Sequence, residues 1–214
     1  MTGVRRLLDD GLSDLAREVA TAGFAALWVG RAVRPEELVP RRRRRVRRVT
    51  AELVERGRAE VDDDGRVVGI HGLTLRPTRH GFLHAGRLHQ TWCAYDSIGI
   101  PAALGVDAEV RTTCPSCGLP LGVAIRRGQP EPCDAALWLP RAEVGHLITE
   151  FCAVSDLYCS RRHLSERIDV ARQSGEVLDV AGAAELGREA WADVAGLDVA
   201  AVNQLPANDA PRGP

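Results

Sequence analysis

The chain has 214 residues, with 28 basic and 29 acidic side chains, 45% hydrophobic and 27% charged residues, the composition of an ordinary soluble globular protein. Its longest uncharged apolar run, Ile98 to Val106, falls far short of the roughly 20 residues that cross a bilayer, which excludes a membrane span. The opening MTGVRRLLDDGLSDLAR places acids where a secretory signal carries its apolar core, so a cytoplasmic location is expected.

Along the chain, Ser13 is a plausible N-cap for a first amphipathic helix with Leu15, Val19, Ala22 and Ala26 at helical spacing, ended by Gly30. Pro35, Glu36 and Glu37 read as the first turn of a short second helix. From Pro40, RRRRRVRRVTAELVERG sets Val46, Val49, Leu53 and Val54 on one stripe and predicts a third helix, basic at its start and stopped at Gly57. Ala59 to Val61, the turn Asp62-Asp63-Asp64-Gly65 and the run Arg66 to Leu75 predict a hairpin. Three helices and a hairpin form a winged-helix-like pattern over residues 1–80. Beyond it come short β-rich runs near 87–91, 108–113, 119–125 and 136–139, then two helices expected at Leu164 to Gln173 and Ala183 to Val194. The expected class is α+β: a winged-helix-like domain at 1–80, a mixed α+β domain at 81–205, and a flexible tail at 206–214. Charge follows the same division, with 17 Arg and 12 acids in residues 1–80 against 11 Arg and 17 acids in the rest.

Six cysteines stand at 93, 114, 117, 133, 152 and 159. In a reducing compartment they read as buried thiols, metal ligands or reactive groups before disulfides. Cys114-Pro-Ser-Cys117 is a knuckle that suits tetrahedral zinc, but no second C-x-x-C follows, and a complete site needs scattered ligands. A turn of buried or reducible thiols is favoured there over a structural zinc at Cys114 and Cys117. The histidines at 71, 80, 84, 89, 146 and 163 show no ligand spacing and read as surface or structural groups. In Trp92-Cys93-Ala94-Tyr95-Asp96, a helix starting near Cys93 puts thiol and carboxyl on one face. The plain alternatives are a core Cys and an Asp96 N-cap, with Trp92, Tyr95 and Ile98 as core before pocket lining.

GLTLRPT (72–78), the hairpin-like Phe82 to Leu88, TWCAYDSIGIPAALG (91–105), Cys114 and the EFC block (150–152) stand in an order that resembles the organomercurial (alkylmercury) lyase family over roughly residues 13 to 195. The resemblance implies a winged-helix-like domain followed by an α+β catalytic domain. It also implies Cys93 and Cys152 as catalytic, mercury-binding cysteines, Asp96 as the catalytic aspartate, and Cys114 as a structural cysteine. Some members carry a further Cys after the F-C cysteine, where this chain has Ala153; Cys117 and Cys133 lie outside the family motif.

The implied reaction is protonolysis of R–Hg⁺ to RH and Hg(II), with no cofactor required and Hg(II) as the bound product. Soft mercury calls for thiolates, and the carbon calls for a proton. A carboxyl of ordinary pKa about 3.9 is protonated about once in a thousand molecules at pH 7, a cost of about 4 kcal/mol, so Asp96 needs a dry pocket or a proton released by a neighbouring thiol. Expected partners are an organomercury substrate, small cellular thiols and mercuric reductase as acceptor of Hg(II). Cys159 is expected to be a bystander or a mercury relay. Two other readings stand beside this one. A thiol- or metal-responsive DNA-binding regulator would use Arg41 to Arg45, Arg47 and Arg48, although Glu52 and Glu55 favour a solvated face. A lyase-like homologue would act on another soft-metal or thiol substrate.

Overall fold

The computed structural model describes residues 12–140, 145–169 and 172–197. The tail expected at 206–214 lies outside them. Helix α1 (Asp14–Trp28) starts where Ser13 accepts the Ala16 N–H at 3.2 Å. It buries Leu15, Val19, Phe24 and Trp28, while Ala22, expected on that face, is only half-buried. Helix α2 (Pro35–Leu38) is a single turn, and a 3₁₀ turn (Pro40–Arg42) leads into α3 (Arg43–Glu55), which buries Val46, Val49, Thr50 and Leu53. The arginines of this turn and helix are exposed and several are ion-paired: Arg42 of the turn to Glu18 at 3.8 Å, and Arg47 to Glu36 at 2.6 Å and Arg48 to Glu52 at 3.6 Å on α3.

Strands β1 (Ala59–Val61) and β2 (Val67–Ile70) pair antiparallel around Gly65, whose φ is +72°. The expected second strand, 66–75, is in fact two. His71 and Gly72 both have positive φ, at 55° and 91°, and fold β3 (Leu73–Thr74) back onto β2. A second reversal at Ala85-Gly86 joins β4 (Gly81–His84) to β5 (Arg87–Thr91). Helix α4 (Ala94–Leu104) follows and ends on Gly105 in the left-handed conformation, as C-terminal caps commonly do. Strands β6 (Ala108–Thr113), β7 (Pro120–Arg126) and β8 (Gln129–Pro130) complete an eight-stranded antiparallel sheet of order β1-β2-β3-β5-β4-β6-β7-β8. Because β3 pairs with β5, this sheet runs across residue 80.

A smaller sheet places β9 (Ala136–Pro140) between β10 (Leu157–Tyr158) and β11 (Gly175–Asp179). The helix expected at 164–173 is displaced: α5 spans only Arg161–Ser165, because Ser160 caps it by accepting the His163 N–H at 3.2 Å. Helix α6 (Val180–Ala190) is capped by Asp179 and crosses α4 where Gly99 meets Gly187. A Cβ on Gly187 would sit 2.3 Å from the Gly99 Cα, so the crossing requires glycine. One large core joins α1, α3, the large sheet, α4 and α6, and a small second core gathers Cys114, Ala136, Trp138, Tyr158 and Leu164. No helix among the described residues is long and apolar enough to cross a membrane.

Candidate functional site

Cys93 occupies the N-cap position of α4, with extended backbone, and Asp96 is the third residue of that helix. The two answer each other. The Asp96 carboxylate accepts the Cys93 backbone N–H at 3.1 Å, while the Asp96 N–H donates to the Cys93 sulfur. Asp96 is therefore not the N-cap, as one reading of its spacing had it; the thiol takes that place. Thr91 adds an anchor by donating its hydroxyl to the Cys93 carbonyl at 3.0 Å.

Cys152 arrives from far along the chain. A π-helical turn (Leu147–Phe151), capped by His146, runs into a 3₁₀ turn (Cys152–Val154). Ser155 then locks it: its N–H and hydroxyl both donate to the Phe151 carbonyl, at 3.1 and 2.8 Å. Its own carbonyl accepts the Ala94 N–H at 3.1 Å. That bond ties the F-C segment to the start of α4. The Cys93 sulfur, the Cys152 sulfur and an Asp96 oxygen consequently lie within 4.8 Å of one another, and all three residues are buried.

Burial dominates the charge states. It pushes the Cys93 thiol well above its ordinary range, reinforced by the hydrogen bond with Cys152 and the nearby Asp96. The hydrogen bond from Cys93 pulls Cys152 down, but burial and the carboxylates of Asp96 and Glu60 outweigh it, leaving that thiol raised too. For Asp96, burial outweighs hydrogen bonds from the Cys93 thiol and from the Cys93 and Trp92 backbone, and raises its carboxyl to about 7. At neutral pH about half of the Asp96 side chains then carry a proton, and the cost of about 4 kcal/mol faced by an ordinary aspartate largely disappears.

Asp96 and Cys152, but not Cys93, open on a cavity of about 20 Å³, room for about one water. Asp96, Cys152 and Trp92 line it together with Gly72, Trp191, Leu53, Leu147, Phe151 and Arg58. Of the three residues weighed as pocket or core, only Trp92 lines it; Tyr95 and Ile98 are wholly buried in the main core. The Trp92 indole donates to Glu60 at 2.6 Å, and Glu60 also accepts the Thr74 hydroxyl at 2.8 Å. The remaining walls escaped the sequence reading. Gly72 sits where a Cβ would lie 3.2 Å from the Asp96 carboxyl carbon, so the positive-φ turn brings backbone directly against the acid. Trp191 is held there by donating its indole N–H to the His71 carbonyl at 2.9 Å.

The other cysteines separate from this cluster. Cys133 is exposed and joins no ligand group among the described residues. Cys114 and Cys117 come together with Cys159 and His163, all four ligand atoms within 4.8 Å. This corrects the reading of His163 as a dispersed histidine: α5 presents it four residues after Cys159, with Nδ1 2.9 Å from that sulfur. Burial raises the Cys114 thiol, but backbone N–H groups of Cys159, Cys117 and Ser116 and the His163 ring pull it down to about 6.

Comparisons with known proteins identify the family and the fold. A family model described as alkylmercury lyase matches residues 73–192. An alkylmercury lyase of Bacillus cereus is 30% identical over 167 residues, covering 74% of this chain and 74% of the relative. One of Streptomyces lividans is 31% identical over 167 residues, covering 74% and 75%. Among solved structures, the mercury-bound form of MerB2 superposes with a TM-score of 0.79 at 22% identity, covering 89% of this chain and 97% of its own. That likeness establishes the shared mixed α+β fold.

Proposed function

Because the chain belongs to the alkylmercury lyase family, we propose that it is an organomercurial lyase, cleaving the carbon–mercury bond of R–Hg⁺ by protonolysis with Cys93, Cys152 and Asp96. The observation that carries this reading is the convergence of two buried sulfurs and one buried carboxyl, within 4.8 Å, beside a small cavity. Cys93 bonds mercury first and loses its proton, which an ionised Asp96 accepts. Cys152 adds as the second sulfur donor, and the electron density it supplies weakens the bond to carbon. Asp96 passes its proton to that carbon and RH leaves. The balance is R–Hg⁺ plus two thiols giving RH, the bis-thiolate of Hg(II) and one proton released. Two small cellular thiols then exchange with Cys93 and Cys152, restoring both as thiols and carrying Hg(II) away, with mercuric reductase as the acceptor. The raised carboxyl of Asp96 supports its role as proton store, since a donor works best with a pKa near the working pH.

The finer architecture belongs to the same proposal. Residues 1–80 are read as a winged-helix-like unit and 81–205 as the catalytic domain, supported by three helices followed by the β1–β2 hairpin. The first unit closes the site instead of reading DNA: Leu53, Arg58 and Gly72 line the cavity, and Arg47 is engaged by Glu36. The test is to incubate the reduced protein with an aryl- or alkylmercury salt and excess small thiol and to measure released hydrocarbon. Wild type releases it, and Cys93→Ser, Cys152→Ser and Asp96→Asn do not. Undiminished turnover in any one of them removes that residue from the scheme.

A further inference from the structure

We propose that Cys114, Cys117, Cys159 and His163 form a structural zinc site, separate from the mercury-handling triad. The proposal does not rest on the lyase reading. Three sulfurs and one imidazole nitrogen within 4.8 Å of one another are a complete tetrahedral donor set for zinc, with no position left open for a substrate. Zinc–sulfur bonds of about 2.3 Å and zinc–nitrogen bonds of about 2.0 Å in tetrahedral array require separations of about 3.8 Å between sulfurs and about 3.5 Å from sulfur to nitrogen. The Cys117 and Cys159 sulfurs stand 3.8 Å apart, and the His163 Nδ1 lies 3.9 Å from the Cys114 sulfur and 2.9 Å from that of Cys159. The first two distances match to within about 0.4 Å, the third opens by about 0.6 Å when the ring turns, and the remaining pairs lie within 4.8 Å.

The backbone is already shaped for an ion. After Cys117 the chain turns through Gly118 at φ +74°, which only glycine adopts without strain. The Gly118 N–H donates to the Cys114 carbonyl and the Cys114 N–H to the Leu119 carbonyl, each at 2.9 Å, closing a tight knuckle. Three thiolates around a divalent ion leave one net negative charge. Arg167 stands ready to offset it, donating to the Pro115 carbonyl of the knuckle at 2.8 Å. Ligation through Nδ1 places the ring proton on Nε2, where the Arg162 guanidinium now sits at 3.1 Å. Two donors then face each other, and Arg162 turns to Glu166, already 3.4 Å away.

The elements the ion would join are small. The small core beneath it has five buried residues, β10 is two residues long and α5 is five. An ion at this point fastens the β6–β7 turn of the large sheet to the β10–α5 segment of the small one, which is how metals secure elements too small to hold themselves.

Metal analysis of the reduced full-length protein, equilibrated with micromolar zinc and no mercurial, is expected to give about one zinc per chain. Cys117→Ser, an exposed position whose change leaves the core intact, and His163→Ala are expected to reduce this at least tenfold, while Cys152→Ser retains it. Cobalt in place of zinc is expected to show the intense visible bands of a tetrahedral thiolate site, lost in the same two variants. Wild type that binds no zinc overturns the proposal. So does zinc that persists in Cys117→Ser and His163→Ala but is lost in Cys152→Ser, or a Cys117–Cys159 disulfide found in protein prepared with reductant.

Discussion

Two groups of thiols in one chain meet opposite surroundings. At Cys93 and Cys152 every group is buried, backbone donors are few, and burial drives both sulfurs and the neighbouring acid toward their protonated forms. At Cys114 several backbone N–H groups converge on the sulfur, Cys117 is exposed, and the thiol is pulled down to about 6. In the proposed lyase, the buried protonated cluster holds the protons that a breaking carbon–mercury bond consumes. In the second group the sulfurs themselves diverge, since burial and the neighbouring thiols push Cys159 up to about 11 while Cys114 is pulled down. The chemistry of a cysteine here follows from the N–H groups and solvent around it.

The largest test of this contrast is catalytic. Asp96→Asn keeps an acceptor for the Cys93 N–H but has no proton to give, and hydrocarbon release is expected to fall by about 10²–10⁴-fold with an unchanged circular dichroism spectrum. A loss below tenfold would mean that another group supplies the proton.

Next comes the pH dependence of stability. Asp96, raised to about 7 by burial, keeps in the fold a proton that the unfolded chain has lost. Its stabilising contribution is whole below about pH 4 and is lost as pH climbs through about 7, a span of up to about 4 kcal/mol. His80 and His89 act in the other direction. Burial, aided by nearby cationic groups, pushes them down to about 4 and about 3, so their contribution is whole above about 6.5 and is lost on acidification through those values. Comparing Asp96→Asn with wild type isolates the carboxyl. In urea unfolding, the variant's stability relative to wild type is expected to be higher at pH 8 than at pH 4.5, and equal differences at both would contradict a stored proton.

Gly187→Ala is expected to cost about 3 kcal/mol, because its Cβ meets the backbone of Gly99. A urea midpoint within error of wild type would show that the crossing has slack. Trp92→Phe should be the mildest change. It takes from Glu60 one of two hydrogen bonds and is expected to cost about 1 kcal/mol by the same unfolding measurement.

What the sequence disclosed was local. Ser13, Gly57 and the Asp62–Gly65 turn act within a few residues, so the helices and first hairpin were legible from spacing. Cys93 and Asp96 were legible as neighbours on a helix start, and the resemblance to a family supplied their roles. The partnership of Cys152 with Cys93 depends on Ser155 reaching Ala94, a contact between remote segments that no periodicity announces. His163 was missed for the same reason together with a misplaced helix: Ser160 starts α5 early and turns that ring toward Cys159 nearby and Cys114 at the end of β6. The His71-Gly72 reversal carried a turn signal that was passed over inside an apolar run.

The small chamber beside the triad has a divided inheritance. Its sulfur and acid, from Cys152 and Asp96, come from the stretch the family model matches, 73–192, whereas Leu12, Ala20, Leu53, Arg58, His71 and Gly72 come from before that stretch begins. In the proposed lyase, both portions wall the chamber, since Trp92, Leu147, Phe151 and Trp191 stand beside Leu53 and Gly72, while the reacting atoms come from the second portion alone. A substitution at Ala20 or Leu53 therefore reshapes a wall without changing a reacting atom.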